Sequence, residues 1–98
     1  MSLQVRFLPV AEAEYRDAVD YYNGEVGGLG EEFREEVIAT VRRITGFPEA
    51  WQKLTARTRR CRLNRFPYGL VYQIQADCIL IVAVMHLRRE PNYWASRE

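Results

Sequence analysis

The sequence predicts an α+β fold in which one strand and two helices are followed by three antiparallel strands. Three observations carry this prediction: a short alternating segment early in the chain, two helical stretches separated by a glycine-rich loop, and a β-rich second half. The predicted order is β-α-α-β-β-β, with both helices on one face of the sheet. A chain of 98 residues has room for one hydrophobic core and not for two, so residues 1–98 are expected to form a single domain.

The first two elements follow from the spacing of apolar residues. Residues 3–7 (LQVRF) alternate apolar and polar with a period of two, which predicts a short strand with one buried face. Pro9 is suited to the first turn of a helix, because its ring already fixes the helical φ angle. Apolar residues then recur at helical spacing over roughly residues 10–24, and the loop at residues 24–28 ends this helix.

A second amphipathic helix is predicted from about Leu29 to Gly46. Acidic residues cluster near its start, and Arg42 and Arg43 lie near its end, which is the arrangement that the helix dipole favours. Because the loop between the two helices is short, we expect them to pack as an antiparallel hairpin. A connector follows over residues 47–58, with Trp51 as an anchor onto the core. The apolar stripe of the second helix consists of Phe33, Val37, Ile38, Val41 and Ile44.

The second half of the chain reads as three strands separated by turns. Residues 60–65 alternate, residues 70–75 are rich in β-formers, and residues 78–86 are apolar on both faces. The last pattern is typical of a central strand. Turns are predicted at residues 66–69 and 75–77, so the three strands form an antiparallel meander.

Composition excludes several classes of protein. With 48% hydrophobic and 28% charged residues the chain is typical of a globular protein. No apolar run is long enough to span a membrane and the first residues carry no apolar signal region, so we expect a cytoplasmic protein without a membrane partner. Cys61 and Cys78 are interpreted as core thiols. With one histidine and no closely spaced cysteine pair, no metal site is expected, nor any cofactor or small-molecule substrate.

The sequence contains only weak matches to the motifs of phosphate-binding loops and of common catalytic sites. Residues 27–30 (GGLG) precede a helix but follow a helix instead of a strand, and they lack the lysine of a phosphate-binding loop. We interpret them as a turn. No serine or cysteine has an identifiable histidine partner, so the sequence does not predict a hydrolase with a covalent intermediate.

The charge of the chain is unevenly distributed. Residues 1–49 carry a net charge of −5 and residues 50–98 a net charge of +6, so an anionic partner is expected to contact the second half. Arginine forks suit phosphates, histidine titrates near neutral pH, and tyrosine stacks on bases or exchanges a proton. Alternation predicts that Arg60 and Arg62 project into solvent, opposite Cys61. The candidate residues are Arg57, Arg59, Arg60, Arg62, Arg65, His86, Arg88, Arg89, Tyr93 and Arg97.

The segment after the last strand is expected to fold back over the sheet. Pro91 prevents the strand from continuing, while Tyr93 and Trp94 carry enough apolar surface to hold the segment against the face that Arg60 and Arg62 share. In the alternative interpretation the basic residues serve the fold alone: the arginines pair with helix carboxylates and the aromatic residues cover the core.

Three short motifs carry a resemblance to a known family. They are residues 65–68 (RFPY), residues 83–86 (AVMH), and residues 88–94 (RREPNYW). With "AEAEYRDAVDYYN" and "GLGEEFREEVIATVRRITGFPEAW" before them, the chain resembles the RelE/ParE superfamily of toxins from type II toxin–antitoxin modules, which includes plasmid stabilisation proteins. The resemblance spans nearly the whole chain and implies the same element order.

The resemblance implies a growth-inhibiting toxin that is neutralised by a cognate antitoxin. ParE-like members poison DNA gyrase, whereas RelE-like members cleave messenger RNA on the ribosome and would be endoribonucleases. A single lysine and a net charge of +1 favour the gyrase-directed activity, since ribosome docking depends on many basic contacts. A non-toxic module that binds an antitoxin is the alternative of another class.

The candidate residues divide according to these alternatives. For RelE-like activity the catalytic candidates are His86, Arg88 and Tyr93. For target or nucleic-acid binding the candidates are Arg60, Arg62, Arg65, Arg88, Arg89 and Arg97.

Overall fold

The computed structural model describes residues 3–98, and its elements follow the predicted order with one addition. The helices are α1 (Pro9–Glu25) and α2 (Leu29–Gly46), and the strands are β1 (Gln4–Phe7), β2 (Gln52–Lys53), β3 (Arg59–Arg62), β4 (Tyr68–Ile74) and β5 (Cys78–His86). One turn of 3-10 helix follows at Ala95–Arg97. The α+β class is confirmed. The addition is β2, which lies in the predicted connector and has only two residues, both exposed, so no alternating pattern reveals it.

The strands form one sheet in the order β1-β5-β4-β3-β2. β1 lies parallel to β5, with Phe7 opposite Ile81, and the other neighbouring strands are antiparallel. β5 therefore lies inside the sheet, and it is apolar at nearly every position because a hydrophobic layer covers each of its faces. β3, β4 and β5 form the predicted meander, although β3 ends earlier and β4 begins earlier than predicted.

Both helices cover one face of the sheet, as predicted. Three rings at the centre of this layer, those of Tyr22, Phe33 and Phe66, lie with their centroids 4.9 to 5.4 Å apart. Such tilted and edge-on contacts add to the stabilisation that burial of the rings provides. Cys61 and Cys78 are buried free thiols, as predicted.

The glycine-rich segment is a turn between the helices, as predicted. Gly28 adopts a positive φ of 89° before the first turn of α2, a conformation that other residues rarely adopt. Gly30 is required by a close approach: a Cβ atom there would lie 2.5 Å from the Asn23 side chain and from the Val19 carbonyl oxygen. The Gly30 N–H donates to Asn23 Oδ1 at 2.8 Å, which ties the two helices together. These glycines therefore serve the helix hairpin.

The opposite face of the sheet is covered by residues 87–98, which we call the C-terminal tail. Trp94 is only 1% exposed and packs with Val71, Val82, Ala83 and Met85 in a second hydrophobic cluster. The predicted return of the tail over this face is confirmed. The sheet is thus buried on both sides, which leaves its ends and edges as the places where a partner can reach the backbone.

Tyr72 joins the sheet to the connector after α2. Its side chain is fully buried, and its hydroxyl donates to the Pro48 carbonyl oxygen at 2.6 Å. Burial raises the pKa of the Tyr72 phenol to about 12, because the ionised form would lose its hydration.

The raised pKa of Tyr72 predicts a loss of stability at alkaline pH. Since the folded pKa lies above the ordinary value near 10, the contribution is complete below pH 10 and is lost as the pH rises towards 12. Tyr72→Phe should be about 1 kcal/mol less stable than the wild type at neutral pH, because the hydrogen bond is lost. Urea unfolding at several pH values should show this difference shrinking above pH 10. Parallel pH profiles for the two proteins would contradict the assignment.

Candidate functional site

His86 ends β5 and begins the first candidate site. Its ring lies edge-on to the Tyr68 ring with the centroids 5.0 Å apart, and its Nδ1 accepts the Arg88 backbone N–H at 3.1 Å. In the neutral imidazole the proton therefore lies on Nε2. The same hydrogen bond fixes the first turn of the tail and places Arg88 next to the histidine.

Two exposed arginines accompany His86 at this end of the sheet. Arg88 and Arg62 are both exposed, and among residues 3–98 neither forms an ion pair. The register places Arg62 opposite Gly69, which lies opposite Met85, whereas the neighbouring Tyr68 lies opposite His86. Paired residues share a face of the sheet, so Arg62 lies on the face that the tail covers and His86 on the face that the helices cover. We give the name sheet-end site to Arg62, His86 and Arg88, which lie near the same end of the sheet.

Arg60 does not project freely into solvent, which corrects the prediction from alternation. It is only half exposed, and a Cβ atom on Gly69 would lie 3.0 Å from Arg60 Cγ and Cδ and 3.5 Å from Leu87 Cδ2. Its stem thus crosses β4 beside the tail, while its Nη2 donates to Gln52 Oε1 at 2.9 Å. Burial, and then the nearby Arg62, lower the pKa of the Arg60 guanidinium. Alternation assigns the correct face but does not reveal what covers it.

Three further candidate arginines, Arg65, Arg89 and Arg97, are engaged within the fold. Arg65 Nη2 lies 2.6 Å from Glu32 Oε1, and the Arg65 backbone N–H donates to Glu36, which fixes the loop after β3 to α2. Arg89 lies over the Tyr93 ring, with its Cζ atom 3.8 Å from the ring centroid. Arg97 forms a bidentate ion pair with Glu14, described next. These contacts agree with the alternative interpretation that part of the basic group serves the fold.

Glu14 of α1 is the acceptor at the centre of the tail contacts. Its Oε1 accepts from Arg97 Nη1 at 2.9 Å and from the Val84 backbone N–H at 3.1 Å, and its Oε2 accepts from Arg97 Nη2 at 3.0 Å. Arg97 Nη1 also donates to the Val82 carbonyl oxygen at 3.1 Å. The sequence did not single out Glu14, because nothing in the helix pattern distinguishes it from its acidic neighbours.

The Tyr93 ring lies beneath the guanidinium groups of Arg89 and Arg97. The guanidinium Cζ atoms of Arg89 and Arg97 lie 3.8 and 5.0 Å from its ring centroid, and its hydroxyl oxygen is buried. Burial raises the pKa of the phenol strongly, and the Glu14 carboxylate raises it further. A phenol in this environment stays protonated at physiological pH. Tyr93 is therefore a buried, protonated phenol, unlike His86 and Arg88 at the end of the sheet.

A second candidate site is an apolar groove between the helices and the edge of the sheet. Its volume is about 680 Å³, and charged residues of both signs form its rim, among them Glu12, Asp20 and Arg42. β1 is an edge strand, so its outer side is not paired with another strand of the sheet. The sequence did not predict this groove. An amphipathic pattern shows which face of a helix or strand is apolar, but it does not show where two packed elements leave an open space. The apolar lining consists of Val5, Phe7, Tyr15, Val19, Val37, Ile38 and Val41.

Other kinds of site are not found in the part of the chain that the structure describes. Residues 3–98 contain no group of three or more histidine, cysteine, aspartate or glutamate side chains arranged to hold a metal ion. The two helices within that range are also too short or too polar to cross a membrane.

Comparison with known proteins assigns the chain to a family. Residues 5–91 match the family model described as "ParE toxin of type II toxin-antitoxin system, parDE". The chain belongs to the ParE toxin family. The predicted RelE/ParE relationship is thereby confirmed, and so is the role of toxin in a type II system.

The fold of this ParE family member is shared by a solved structure. The structure titled "Chromosomal ParDE TA system from P. aeruginosa" superposes with a TM-score of 0.72 over 88% of this chain and 97% of that chain, at 14% sequence identity. At this identity the similarity shows a common fold. No curated protein matches the sequence significantly.

Proposed function

We propose that this ParE family toxin acts in the cytoplasm by poisoning DNA gyrase. The observation that supports this target over messenger RNA is the state of Tyr93. A ribonuclease site needs a general acid or base that reaches the substrate and exchanges a proton near neutral pH. The Tyr93 hydroxyl is buried and its pKa is strongly raised, so it meets neither condition. Without Tyr93 the RelE-like set of His86, Arg88 and Tyr93 lacks one member, and we propose that His86 and Arg88 act as binding groups at the end of the sheet.

The distribution of charge supports the same target. The chain has a single lysine and a net charge of +1, and Arg65, Arg89 and Arg97 are engaged with carboxylates of the helices. Docking among ribosomal phosphates depends on many simultaneous basic contacts. A protein surface such as that of gyrase requires fewer charges and more shape complementarity. We propose that the sheet-end site of Arg62, His86 and Arg88 forms this contact.

The antitoxin partner is proposed to bind in the apolar groove. The apolar strand β5 offers little free surface to an antitoxin, because it pairs with β4 along its length and with β1 as far as Ile81, and layers cover both of its faces. The groove, in contrast, is an accessible surface with an apolar lining. An amphipathic antitoxin segment fits it, with apolar side chains towards Val5 and Ile38 and charges at the rim. The structurally similar protein from P. aeruginosa is described as part of a ParDE system.

Arg88→Ala is expected to weaken inhibition of gyrase supercoiling at least about tenfold, because a contact to a charged group is worth about 1.5 to 3 kcal/mol. The double variant Arg62→Ala with Arg88→Ala is expected to abolish inhibition. Stability should change by only about 0 to 1 kcal/mol, since both side chains are exposed and unpaired within residues 3–98. Supercoiling assays with detection of cleaved DNA, and melting curves on the same proteins, measure both effects. Arg6→Ala is the matched control, because Arg6 is exposed on β1 opposite Leu80, towards the other end of β5 from His86.

Two outcomes would overturn the proposed target. Ribosome-dependent cleavage of a message by the wild-type protein, without any effect on gyrase, would assign the RelE-like activity instead. Binding of an antitoxin combined with no effect on gyrase, ribosomes or growth would identify a non-toxic binding module.

A further inference from the structure

A second cationic site lies at the end of the sheet opposite to His86. The turn between β2 and β3 and the last residues of β4 enclose a cavity of about 410 Å³. Three basic residues line it: Lys53 at the end of β2, Arg57 in the turn, and Arg59 at the start of β3. We call this cavity the hairpin pocket.

The charges of the hairpin pocket are not neutralised within the protein. Among residues 3–98, none of Lys53, Arg57 and Arg59 forms an ion pair, and no carboxylate lines the cavity. Glu98 accepts from Thr55 Oγ1 at 2.9 Å on the neighbouring part of the turn but does not line the cavity. Three uncompensated positive charges around one cavity favour an anionic ligand.

The pocket is also held in shape before any ligand binds. Arg59 Nη1 donates to the carbonyl oxygens of Glu49 and Trp51, both at 3.0 Å, which fixes the guanidinium beside the cavity. Thr55 Oγ1 accepts the backbone N–H groups of Arg57 and Thr58, both at 3.1 Å, so the turn is ordered by its own side chain. A preformed site loses little conformational entropy when it binds.

We propose that the hairpin pocket binds a phosphodiester group of the DNA backbone. The guanidinium forks and the ammonium group are the usual partners of phosphate oxygens, and the side-chain amides of Gln73 and Gln75 in the lining supply neutral hydrogen-bond donors. Contacts of this kind position a protein on nucleic acid without reading its sequence.

This inference rests on the proposed gyrase target, because gyrase holds DNA while it acts. β4 runs between the two sites, and its seven residues span roughly 20 Å at the usual rise per residue of a strand. The sheet-end site and the hairpin pocket therefore face different neighbours. The first can contact the enzyme while the second holds the backbone of the DNA that the enzyme has bound.

The salt dependence of DNA binding tests the pocket without gyrase. The purified full chain is titrated against a short labelled DNA duplex over a series of salt concentrations. Each phosphate contact adds about 0.9 to the slope of log affinity against log salt concentration. Arg57→Gln is expected to lower this slope by about 1, and Lys53→Gln with Arg57→Gln by about 2. Arg6→Gln, the same substitution at an exposed position of β1, should leave the slope unchanged.

The possible results test DNA binding by the hairpin pocket independently of the proposed gyrase target. Equal slopes for Arg57→Gln and Arg6→Gln would show that the hairpin pocket does not bind the DNA backbone. Tighter binding of an RNA of the same sequence than of DNA would contradict the proposed ligand. Neither result would bear on inhibition of gyrase. A reduced slope for Arg57→Gln would support the pocket even if the wild-type protein did not inhibit gyrase, and in that case only the proposed target would fail.

Discussion

Replacing Glu14 by alanine is expected to lower the free energy of unfolding by about 3 kcal/mol. The side chains of Glu14 and Arg97 are only 14% and 16% exposed, so the variant leaves a guanidinium largely buried without its partner. It also removes the acceptor of the Val84 backbone N–H in the central strand. The pKa of Arg97 is raised, first by its hydrogen bond to Glu14, which reflects the favourable interaction of the guanidinium with this carboxylate.

Chemical denaturation measures this loss, and Glu12→Ala provides the control. Glu12 lies on the same helix and pairs with Arg16 at 2.8 Å, but its side chain is 55% exposed. Its removal should cost about 0 to 1 kcal/mol. Equal small losses for the two variants would show that solvent replaces Glu14 readily and that the ion pair does not hold the tail.

Trp94→Ala is expected to destabilise the protein by about 3 to 5 kcal/mol, as removal of a buried indole usually does. The ring is 1% exposed and is the largest side chain of the cluster that covers the second face of the sheet. Its loss would also weaken the hold of the tail over Val71 and Met85.

Two further variants make this prediction specific. Trp94→Phe should recover most of the stability, because the indole N–H forms no hydrogen bond within residues 3–98. Phe47→Ala should change stability by less than about 0.5 kcal/mol, since Phe47 is 70% exposed at the end of α2. Denaturant unfolding and hydrogen exchange of the β5 amides report on these effects. A loss below about 1 kcal/mol for Trp94→Ala would show that the tail detaches without consequence for the sheet.

Sequence periodicity predicted those elements that have a clear periodic pattern. The two helices agree closely with their predicted bounds, because their apolar stripes and the glycine turn between them are strong local signals. The two-residue strand β2 has no such pattern. The parallel pairing of β1 with β5 joins segments that are distant in the chain, so it follows from tertiary packing and not from either segment alone.

The candidate site was predicted less completely for a related physical reason. Residue type and alternation indicated that Arg62 and Arg88 would be exposed, and both are. They could not show that the Arg60 side chain packs over Gly69 and is only partly exposed, or that Arg97 pairs with Glu14 on the first helix. Such contacts depend on how distant parts of the chain approach one another, and one sequence carries no local record of that approach.

The contacts of Glu14 and Arg97 also bear on self-association. β1 ends opposite Ile81, so beyond that residue the edge of β5 faces no further strand among residues 3–98. An open edge on such an apolar strand is a template for pairing with a second chain and hence for aggregation. Here Glu14 occupies the Val84 N–H and Arg97 occupies the Val82 carbonyl oxygen, so side chains take the hydrogen bonds that an intruding strand would need. The ion pair thus occupies backbone groups at the edge of β5 that a strand of a second chain would otherwise bind.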